Sequence, residues 1–423
     1  MLAKVFYRNT SRLLVSLKIN KKLLLTKFAY FLFLLLSTVY FYLILSSSGE
    51  ISLAFAKKSE KNFVGYYQSW SEQSISSPQQ IQLVNIAPYV NQIIVSFIQP
   101  DATYKNGSYN LTGTGLQFAA DGKVVKDAIT LLKKDNPKTK VLVAVGGQTY
   151  TNFAQMNPKV IANIVKDFGF DGVDIDYEPT NVKCSSSNGK VSCTSDAEFR
   201  RVIRQIRQVL PKHYLVTAAV WSIGAYGEGQ WANAQPQGDK TGMTLNLLRS
   251  PESKMIDQLH IMSYDAGTTY NPEQALAAYQ NYFKGKVVMG VEVPPEAWGG
   301  NVYTLAKVRD LAQVVINRNA AGLMLWSLQK QPEGTPSGDN PTAEMITKTA
   351  CQVLLLGNCQ QPLFTSQIFR RIINNKHLKP LFYHRNSLDC ETGYRTLLVN
   401  HRDTWAVFKD VYNQAQNCQE TVP

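Results

Sequence analysis

The 423-residue sequence predicts an α/β protein, a (β/α)8 TIM barrel with a small cysteine-containing C-terminal appendage. Two observations support this prediction. Eight short apolar runs alternate with amphipathic stretches over about 290 residues, as a barrel of this type requires, and past residue 350 the alternation stops while cysteines become frequent. A doubly wound open sheet is the alternative, but it rarely has eight units and usually carries a glycine-rich phosphate loop, which this sequence lacks.

The apolar runs predict the strands and the amphipathic stretches between them predict helices. The predicted strands are Phe63–Tyr67, Gln92–Ile98, Lys140–Val145, Gly172–Tyr177, Tyr214–Val220, Gln258–Met262, Lys286–Val291 and Gly322–Trp326. The predicted helices are Lys123–Lys134, Lys159–Phe168, Asp196–Leu210, Pro272–Phe283 and Tyr303–Ile316. Ser195, three residues before Glu198, predicts a capping box at the start of the third helix.

Residues 1–56 have the features of a targeting segment. A basic region leads into the apolar run Phe28–Leu45, and a polar stretch then leads to Ala54-Phe55-Ala56, a pattern that signal peptidase cuts. We expect a cleaved signal peptide and a secreted protein with no stable membrane association. Because the apolar run is barely long enough to span a bilayer, a retained membrane anchor with the remaining chain outside is the alternative.

Composition and charge indicate an ordinary globular protein rather than a nucleic-acid-binding one. The net charge is +13, but seven of the 44 basic residues and one of the 31 acidic residues precede Lys57, which leaves +7 for the rest. These remaining basic residues are scattered and form no Lys/Arg-rich run. We therefore expect no nucleic-acid partner. After the targeting segment, the predicted barrel domain occupies residues 57–350.

The six cysteines form an even set, which in an exported chain indicates disulfides with 15 possible pairings. Their spacings fit no familiar zinc site and the chain has five histidines, so we predict no metal and no cofactor. Residues 351–423 hold four of the cysteines among scattered aromatic residues. This segment is predicted to be a small disulfide-stapled C-terminal module.

Three acidic residues alternate with apolar residues in the segment Phe170–Pro179, which contains the fourth predicted strand. Because strand side chains point alternately to opposite faces, Asp174, Asp176 and Glu178 share one face and point into the barrel. Burying three carboxylates together is costly, and a stable fold does not need it. A catalyst does, because a carboxylic acid kept protonated near neutral pH can act as a general acid. Glu178 also lies at the end of the strand where barrel enzymes keep their sites.

The spacing Asp171-x-x-Asp174-x-Asp176-x-Glu178 resembles the D-x-x-D-x-D-x-E signature of glycoside hydrolase family 18, the chitinases and their relatives. The resemblance extends over residues 62–350. Three further segments resemble the family in the expected order. They are Gly65-Tyr66-Tyr67-Gln68-Ser69-Trp70 on the first strand, Met262-Ser263-Tyr264-Asp265 (M-x-Y-D) on the sixth, and Trp326 at the end of the eighth.

The resemblance implies substrate-assisted hydrolysis with retention of configuration, in which Glu178 protonates the glycosidic oxygen and the substrate's 2-acetamido carbonyl attacks C1. Asp176 would hold the acetamido N–H, Asp174 would share a proton with Asp176, and Tyr264 would align the carbonyl. The substrate-binding residues that the resemblance implies are Tyr66, Met262, Asp265 and Trp326.

Two positions depart from the family pattern. Ala144 stands where the family has a serine that hydrogen-bonds the inner aspartate, which leaves open how Asp174 is held. Gln148 stands where many relatives have a tryptophan, so a leaving-group subsite is expected to be weaker or built from another aromatic residue. Separately, the end of the fifth strand and the loop after it supply Trp221, Tyr226 and Trp231, each of which is either a sugar-stacking or a core residue. Of these, we assign Trp221 to substrate binding.

The connecting loops predict a shallow, open cleft and endo-type cleavage. Only about 30 residues separate the seventh strand from Trp326, and a predicted helix takes half of them, so a large inserted subdomain does not fit. A disulfide between Cys184 and Cys193 would stiffen the loop after Glu178.

Three functions agree with the motifs. The first is an endochitinase acting on β-1,4-linked N-acetylglucosamine polymers, and the second is an endo-β-N-acetylglucosaminidase acting on N-glycans. The third, a non-catalytic chitin-binding lectin, is disfavoured because Asp174, Asp176, Glu178 and Tyr264 are all intact. The expected partner is chitin or an N-acetylglucosamine-containing oligosaccharide, bound by a monomer. Residues 351–423 would be a structural scaffold or a chitin-binding module.

Overall fold

The computed structural model describes residues 61–300 and 302–365, and within them eight parallel strands close into a barrel. The barrel strands are β1 (Asn62–Gln68), β2 (Gln92–Ile98), β3 (Lys140–Gly146), β4 (Gly172–Asp176), β7 (Leu215–Trp221), β8 (Gln258–Met262), β9 (Lys286–Glu292) and β10 (Gly322–Trp326). Between β4 and β7, strands β5 (Cys184–Ser187) and β6 (Lys190–Cys193) form an antiparallel hairpin. Neighbours in the barrel follow chain order, and β10 pairs with β1. The predicted (β/α)8 barrel is confirmed.

Helices follow most of the barrel strands in the described part of the chain. They are α1 (Gly122–Asp135), α2 (Pro158–Phe168), α3 (Asp196–Val209), α4 (Leu245–Arg249), α5 (Pro272–Tyr282), α6 (Leu305–Asn317) and α7 (Ala343–Leu354). All five predicted helices are present, with ends that differ by at most two residues from the prediction. In the connection from β1 to β2 the structure has short 3-10 turns instead of an α-helix.

The ends of α2 show why the sequence folds as it does here. The Asn157 side chain accepts the N–H of Val160, and Pro158 occupies the first turn, where its missing N–H costs nothing. The helix ends at Gly169, whose φ of 74° lies in the left-handed region that favours glycine. The apolar face between these ends is buried against the barrel.

The predicted capping box at α3 is wrong. Ser195 precedes the helix, but its side chain makes no cap hydrogen bond and its hydroxyl is buried without a partner. Glu198 instead accepts the Tyr177 hydroxyl at 2.7 Å and pairs with Arg201 at 3.2 Å. The hydrogen bond from Tyr177 thus takes the Glu198 side chain away from the local capping interaction with Ser195. Asp196 accepts the N–H of Cys193 at 2.8 Å and so ties the start of the helix to the β5–β6 hairpin.

Two separate groups of buried side chains follow from the alternation along the strands. Outward-facing residues such as Val173 and Ile175 pack beneath the helices in one large apolar layer. Inward-facing residues form a smaller cluster inside the barrel, which includes Tyr66, Ala144 and Met262.

Both disulfides in the described residues are local. Cys184 is bonded to Cys193 across the β5–β6 hairpin, as predicted, and Cys351 is bonded to Cys359. The hairpin is also fastened to the loop after β7, because the N–H of Val191 donates to the buried Glu228 at 2.7 Å and Glu228 pairs with Arg249.

The chain remains attached to the barrel for some residues beyond the predicted boundary at 350. Helix α7 continues to Leu354, and main-chain hydrogen bonds join Ala87 to Leu363 at 2.9 Å and Thr365 to Asn85 at 2.8 Å. Residues 366–423, which hold most of the predicted C-terminal module, lie outside the described residues, as does the predicted targeting segment 1–56. Across the residues that the structure describes, no helix is long and apolar enough to cross a membrane.

Candidate active site

Two glycines, the last residue of β3 and the residue after it, allow the carboxyl end of that strand to lie against the end of β4. Gly146 has φ of 108°, and a Cβ there would lie 2.2 Å from the Asp176 carbonyl oxygen. Gly147 has φ of 76°, and its N–H donates to the same oxygen at 2.9 Å. A Cβ on Gly147 would also meet the Phe97 ring at 2.9 Å. Both positions therefore require glycine.

The three carboxylates of β4 differ in burial. Asp174 is 0% exposed, Asp176 is 4% exposed, and Glu178, two residues past the strand end, is half-buried and lines a cleft. Burial raises the pKa of Asp176 well above its usual value, and the nearby Glu178 and Asp174 raise it further. The pKa of Glu178 is raised to about 7, mainly by burial.

Three neighbours adjust the pKa of Glu178 in opposite directions. The Lys240 ammonium lowers it, Asp265 raises it, and a hydrogen bond from the Gln148 backbone N–H lowers it. Gln148, which replaces the family tryptophan, thus acts on the carboxylate through its main chain. A carboxyl group with pKa near 7 is protonated in a large fraction of molecules at neutral pH, as a general acid requires.

The inner carboxylate, Asp174, is held by three side-chain hydrogen bonds. Tyr66 donates to Oδ2 at 2.7 Å and Thr217 donates to Oδ1 at 2.5 Å. His260 Nδ1 lies 3.0 Å from Oδ1. Ala144 lies beside Asp174 on the neighbouring strand and offers no side-chain donor. Tyr66, Thr217 and His260 therefore hold the carboxylate in place of the family serine.

A cleft of about 380 Å³ opens at the carboxyl ends of the strands. It brings together eight of the predicted catalytic and substrate-binding residues, while Asp174 lies beneath them. The predicted residues that line the cleft are Tyr66, Asp176, Glu178, Trp221, Met262, Tyr264, Asp265 and Trp326. No group of three or more His, Cys, Asp or Glu side chains in residues 61–300 and 302–365 is arranged to hold a metal ion.

One aromatic row lines the side of the cleft formed by β1, β2 and β10. The Trp326 ring lies 5.6 Å from the Tyr66 ring and 5.9 Å from the Phe97 ring. Phe97 stacks in turn on Trp70, with 6.0 Å between centroids, and Trp70 is partly exposed. Neither Trp70 nor Phe97 was predicted from the sequence to be a site residue. Their position at the carboxyl ends of the first two strands was the available signal.

A second aromatic pair lies on the rim formed by β7 and β9. Trp221 stacks on Trp298, with 6.1 Å between the ring centroids and 15° between the planes. Trp298, which the sequence reasoning missed, is 58% exposed. Lys240 Nζ lies 3.1 Å from the centroid of Trp221, a cation–π contact. This pair places aromatic surface on the cleft rim, which the Gln148 side chain does not.

Asp265 fixes the loop that carries Trp298. Its carboxylate accepts the Trp298 N–H at 2.8 Å, and its own N–H donates to Glu296 at 2.9 Å. Asp265 has φ of 53°, which is uncommon for a residue other than glycine. The residue therefore lines the cleft, as expected, and also holds its rim.

Tyr226 and Trp231 do not reach the cleft. Tyr226 is fully buried, and the largely buried Trp231 packs against Tyr282 at 5.9 Å between centroids. For these two residues the core alternative is correct. Trp221 differs because it is the last residue of β7, at the barrel mouth.

Tyr264 and Glu292 complete the polar wall of the cleft. Burial raises the pKa of Tyr264 well above its usual value, and Glu292, Asp176 and Glu178 add to that effect, so the phenol stays protonated. Glu292 pairs with Lys330, and its pKa is raised to about 7 by burial although Lys330 lowers it. Glu292 was missed, yet an acidic residue at the end of a barrel strand is a signal for a site.

Comparison with known proteins agrees with this geometry. The sequence profile of the Glycosyl hydrolases family 18 matches residues 62–298. A protein named chitinase from Plasmodium falciparum is 29% identical over 331 residues, which cover 66% of this chain and 84% of the relative. Endochitinase 1 of Metarhizium anisopliae is 27% identical over 190 residues, which cover 43% of this chain and 39% of that protein.

Among solved structures, the Group IV chitinase of Ostrinia furnacalis is similar with a TM-score of 0.47 and 16% identity, over 70% of this chain and 100% of that one.

The chain belongs to the glycosyl hydrolases family 18. The family membership inferred from the motif at Asp171–Glu178 is confirmed, and with it the prediction of a chitinase-type glycosidase.

Proposed function

We propose that this protein is an endo-type chitinase that cleaves β-1,4-linked N-acetylglucosamine polymers by substrate-assisted retaining hydrolysis. The observation that carries the proposal is the placement of Glu178. It is half-buried in a cleft, with a pKa of about 7, and the buried Asp176 precedes it on the same strand. This is what a general acid acting on a glycosidic oxygen needs.

The reaction begins when Glu178 donates its proton to the glycosidic oxygen as the bond from that oxygen to C1 breaks. The carbonyl oxygen of the substrate's own 2-acetamido group forms a bond to C1, which gives an oxazolinium ion and releases the leaving-group sugar. Glu178, now a carboxylate, takes a proton from water, whose oxygen bonds to C1 as the oxazolinium ring opens. Two inversions at C1 give net retention.

Asp176 and Tyr264 assist the acetamido group in this scheme. Asp176 accepts the acetamido N–H and stabilises the positive charge of the ring. Tyr264 keeps its proton because its pKa is raised, so it can donate to the acetamido carbonyl and align it for attack. The other cleft carboxylates are engaged in the free protein, since Asp265 accepts the Trp298 N–H and Glu292 is paired with Lys330.

Endo-type cleavage is supported by the aromatic residues on two sides of the barrel mouth. The order of strands in the closed barrel sets β1 and β2 across from β7 and β8. The row that includes Trp70 therefore lies across the mouth from Trp221, with the catalytic strand β4 between the two along the barrel wall. A polymer that crosses the mouth would stack sugars on both sides of the scissile bond.

Chitin is favoured over N-glycans as the substrate because the two relatives described above are named chitinase and endochitinase. Mass spectrometry of the products from N-acetylglucosamine hexamers and from an N-glycoprotein, incubated side by side, tests this choice. We expect dimers and trimers from the hexamer and no released glycan. Release of glycans with an intact hexamer would contradict it.

We also propose that the protein is exported with its targeting segment removed after Ala56. The pattern Ala54-Phe55-Ala56 and the two disulfides support export, since disulfides persist in oxidising compartments. N-terminal sequencing of the mature protein tests this. A start near residue 57 is expected, whereas an intact N-terminus in the membrane fraction would favour the anchor.

A further inference from the structure

A series of polar side chains, buried except for the half-buried Asn62, runs through the interior of the barrel from Asp174 to the end opposite the cleft. His260 on β8 is 0% exposed and places Nδ1 at 3.0 Å from Asp174 Oδ1. Its other ring nitrogen, Nε2, lies 2.7 Å from Nε2 of Gln258. Gln258 contacts Asn62 and Gln92. These three amides are the first residues of β8, β1 and β2, so the series spans the barrel interior.

The directions of these hydrogen bonds determine where the imidazole carries its proton. Asn62 Nδ2 donates to Gln258 Oε1 at 3.0 Å, so the nitrogen of the Gln258 amide points to His260. That nitrogen also lies 3.1 Å from Gln92 Oε1. Because an amide nitrogen only donates, His260 Nε2 must accept, and the ring proton resides on Nδ1, facing Asp174.

We propose that His260 is a positioning residue for hydrolysis, held by the amides of Gln258 and Asn62 as the neutral Nδ1–H tautomer so that it donates a hydrogen bond to Asp174. The proposal rests on the proposed function. Thr217 and His260 approach Oδ1, and Tyr66 approaches Oδ2, so the carboxylate is fixed from three strands. Ala144, which lies beside Asp174 on the adjacent strand β3, has no side-chain donor.

This arrangement fixes the position of Asp174 relative to Asp176. Asp174 is one of the neighbours that raise the pKa of Asp176, so this effect depends on where the Asp174 carboxylate is held. Because it is held from three strands, Asp174 cannot turn away from Asp176. Because Asp174 lies beneath the cleft rather than in its lining, the loss of His260 should reduce turnover and leave substrate binding largely unchanged.

Kinetics of variants in the full chain test the role of the donor. In H260L the donor is lost, and we expect kcat on N-acetylglucosamine oligomers to fall about 10- to 100-fold with KM changed less than about threefold. In H260N the side-chain amide can still donate to Asp174, and most of kcat should return. Adding A144S to H260L offers a hydroxyl beside Asp174 and should restore part of kcat.

The control variant is H213L, which replaces the exposed histidine His213. Thermal unfolding of each variant is measured to detect a loss of stability. A kcat for H260L within a factor of two of the parent, or an equal loss in H260N and H260L, would overturn the donor role.

Nitrogen NMR of the substrate-free protein tests the tautomer without any activity. With ¹⁵N-labelled histidine, the resonances of His260 are those absent from H260N. We expect a protonated Nδ1 and an unprotonated Nε2 at neutral pH, because the Gln258 amide nitrogen faces Nε2 as a donor. A proton on Nε2 would overturn the inference even for an active chitinase. An enzyme inactive on every N-acetylglucosamine substrate would instead overturn the proposed function.

Discussion

The two faces of β4 differ in what they contribute to the protein. The outward face, with Val173 and Ile175, joins the apolar layer between barrel and helices, and each side chain there stabilises the fold by burying hydrocarbon. The inward face carries Asp174 and Asp176, whose burial is costly and is compensated only in part by hydrogen bonds. One strand thus carries stability on one side and reactivity on the other, and mutations on the two faces should separate these properties.

The largest effect is expected at the acid that opens onto the cleft. Glu178→Gln keeps the shape of the side chain but removes the transferable proton, so hydrolysis of N-acetylglucosamine oligomers should fall at least about 100-fold. Calorimetry should show that the variant still binds the oligomers. A loss of less than about tenfold would contradict the role of a lone general acid.

On the opposite face of the same strand, Ile175→Ala should affect stability instead. The fully buried side chain leaves a cavity, and we expect the free energy of unfolding to fall by about 2–4 kcal/mol in urea titration. The kcat of the folded fraction should stay close to that of the parent. A large loss of kcat without loss of stability would show that the two faces are not separable.

The pH dependence of kcat/KM sharpens the assignment of the acid. Glu178 must be protonated to act, and its pKa is raised to about 7, so kcat/KM should decline above about pH 7. Lys240 lowers this pKa, so Lys240→Met should move the alkaline limb to higher pH. The exposed Lys183→Met serves as a control. If the alkaline limb of Lys240→Met lay at the same pH as that of the parent, Lys240 would not influence the pKa of Glu178.

The smallest effect is expected at the cleft rim. Trp298→Ala removes one ring of the stacked pair, and because such contacts contribute about 0.5–1.5 kcal/mol, KM for hexamers should rise about 3- to 10-fold with little change in kcat. Val302→Ala, an exposed apolar residue in the same connection, is the matched control. Equal KM values for Trp298→Ala and Val302→Ala would show that Trp298 does not contribute to substrate binding.

The barrel and its acidic strand could be predicted because both depend on local periodicity. Alternation along β4 alone places Asp174, Asp176 and Glu178 on the inner face, and the structure agrees. The capping box at Ser195 failed because a distant residue, Tyr177, takes the Glu198 side chain.

The residues missed in the site depend on contacts between distant parts of the chain. His260 contacts Asp174, 86 residues away in the sequence, and Trp298 stacks on Trp221 from a distant loop that Asp265 helps to hold. No periodicity in the sequence encodes such contacts. For the same reason the sequence could not show that Trp221 lines the cleft while Tyr226 and Trp231 lie in the core; the structure shows this.

The central claim is that the substrate's own acetamido group, rather than an enzyme carboxylate, attacks C1. Hydrolysis of fully acetylated and fully deacetylated hexamers, followed under identical conditions by mass spectrometry, tests it directly. We predict rapid cleavage of the acetylated hexamer and none of the deacetylated one, because the latter has no carbonyl oxygen to form the oxazolinium ring. Cleavage of the deacetylated hexamer at a comparable rate would show that a carboxylate such as Asp176 is the nucleophile, and would contradict the mechanism.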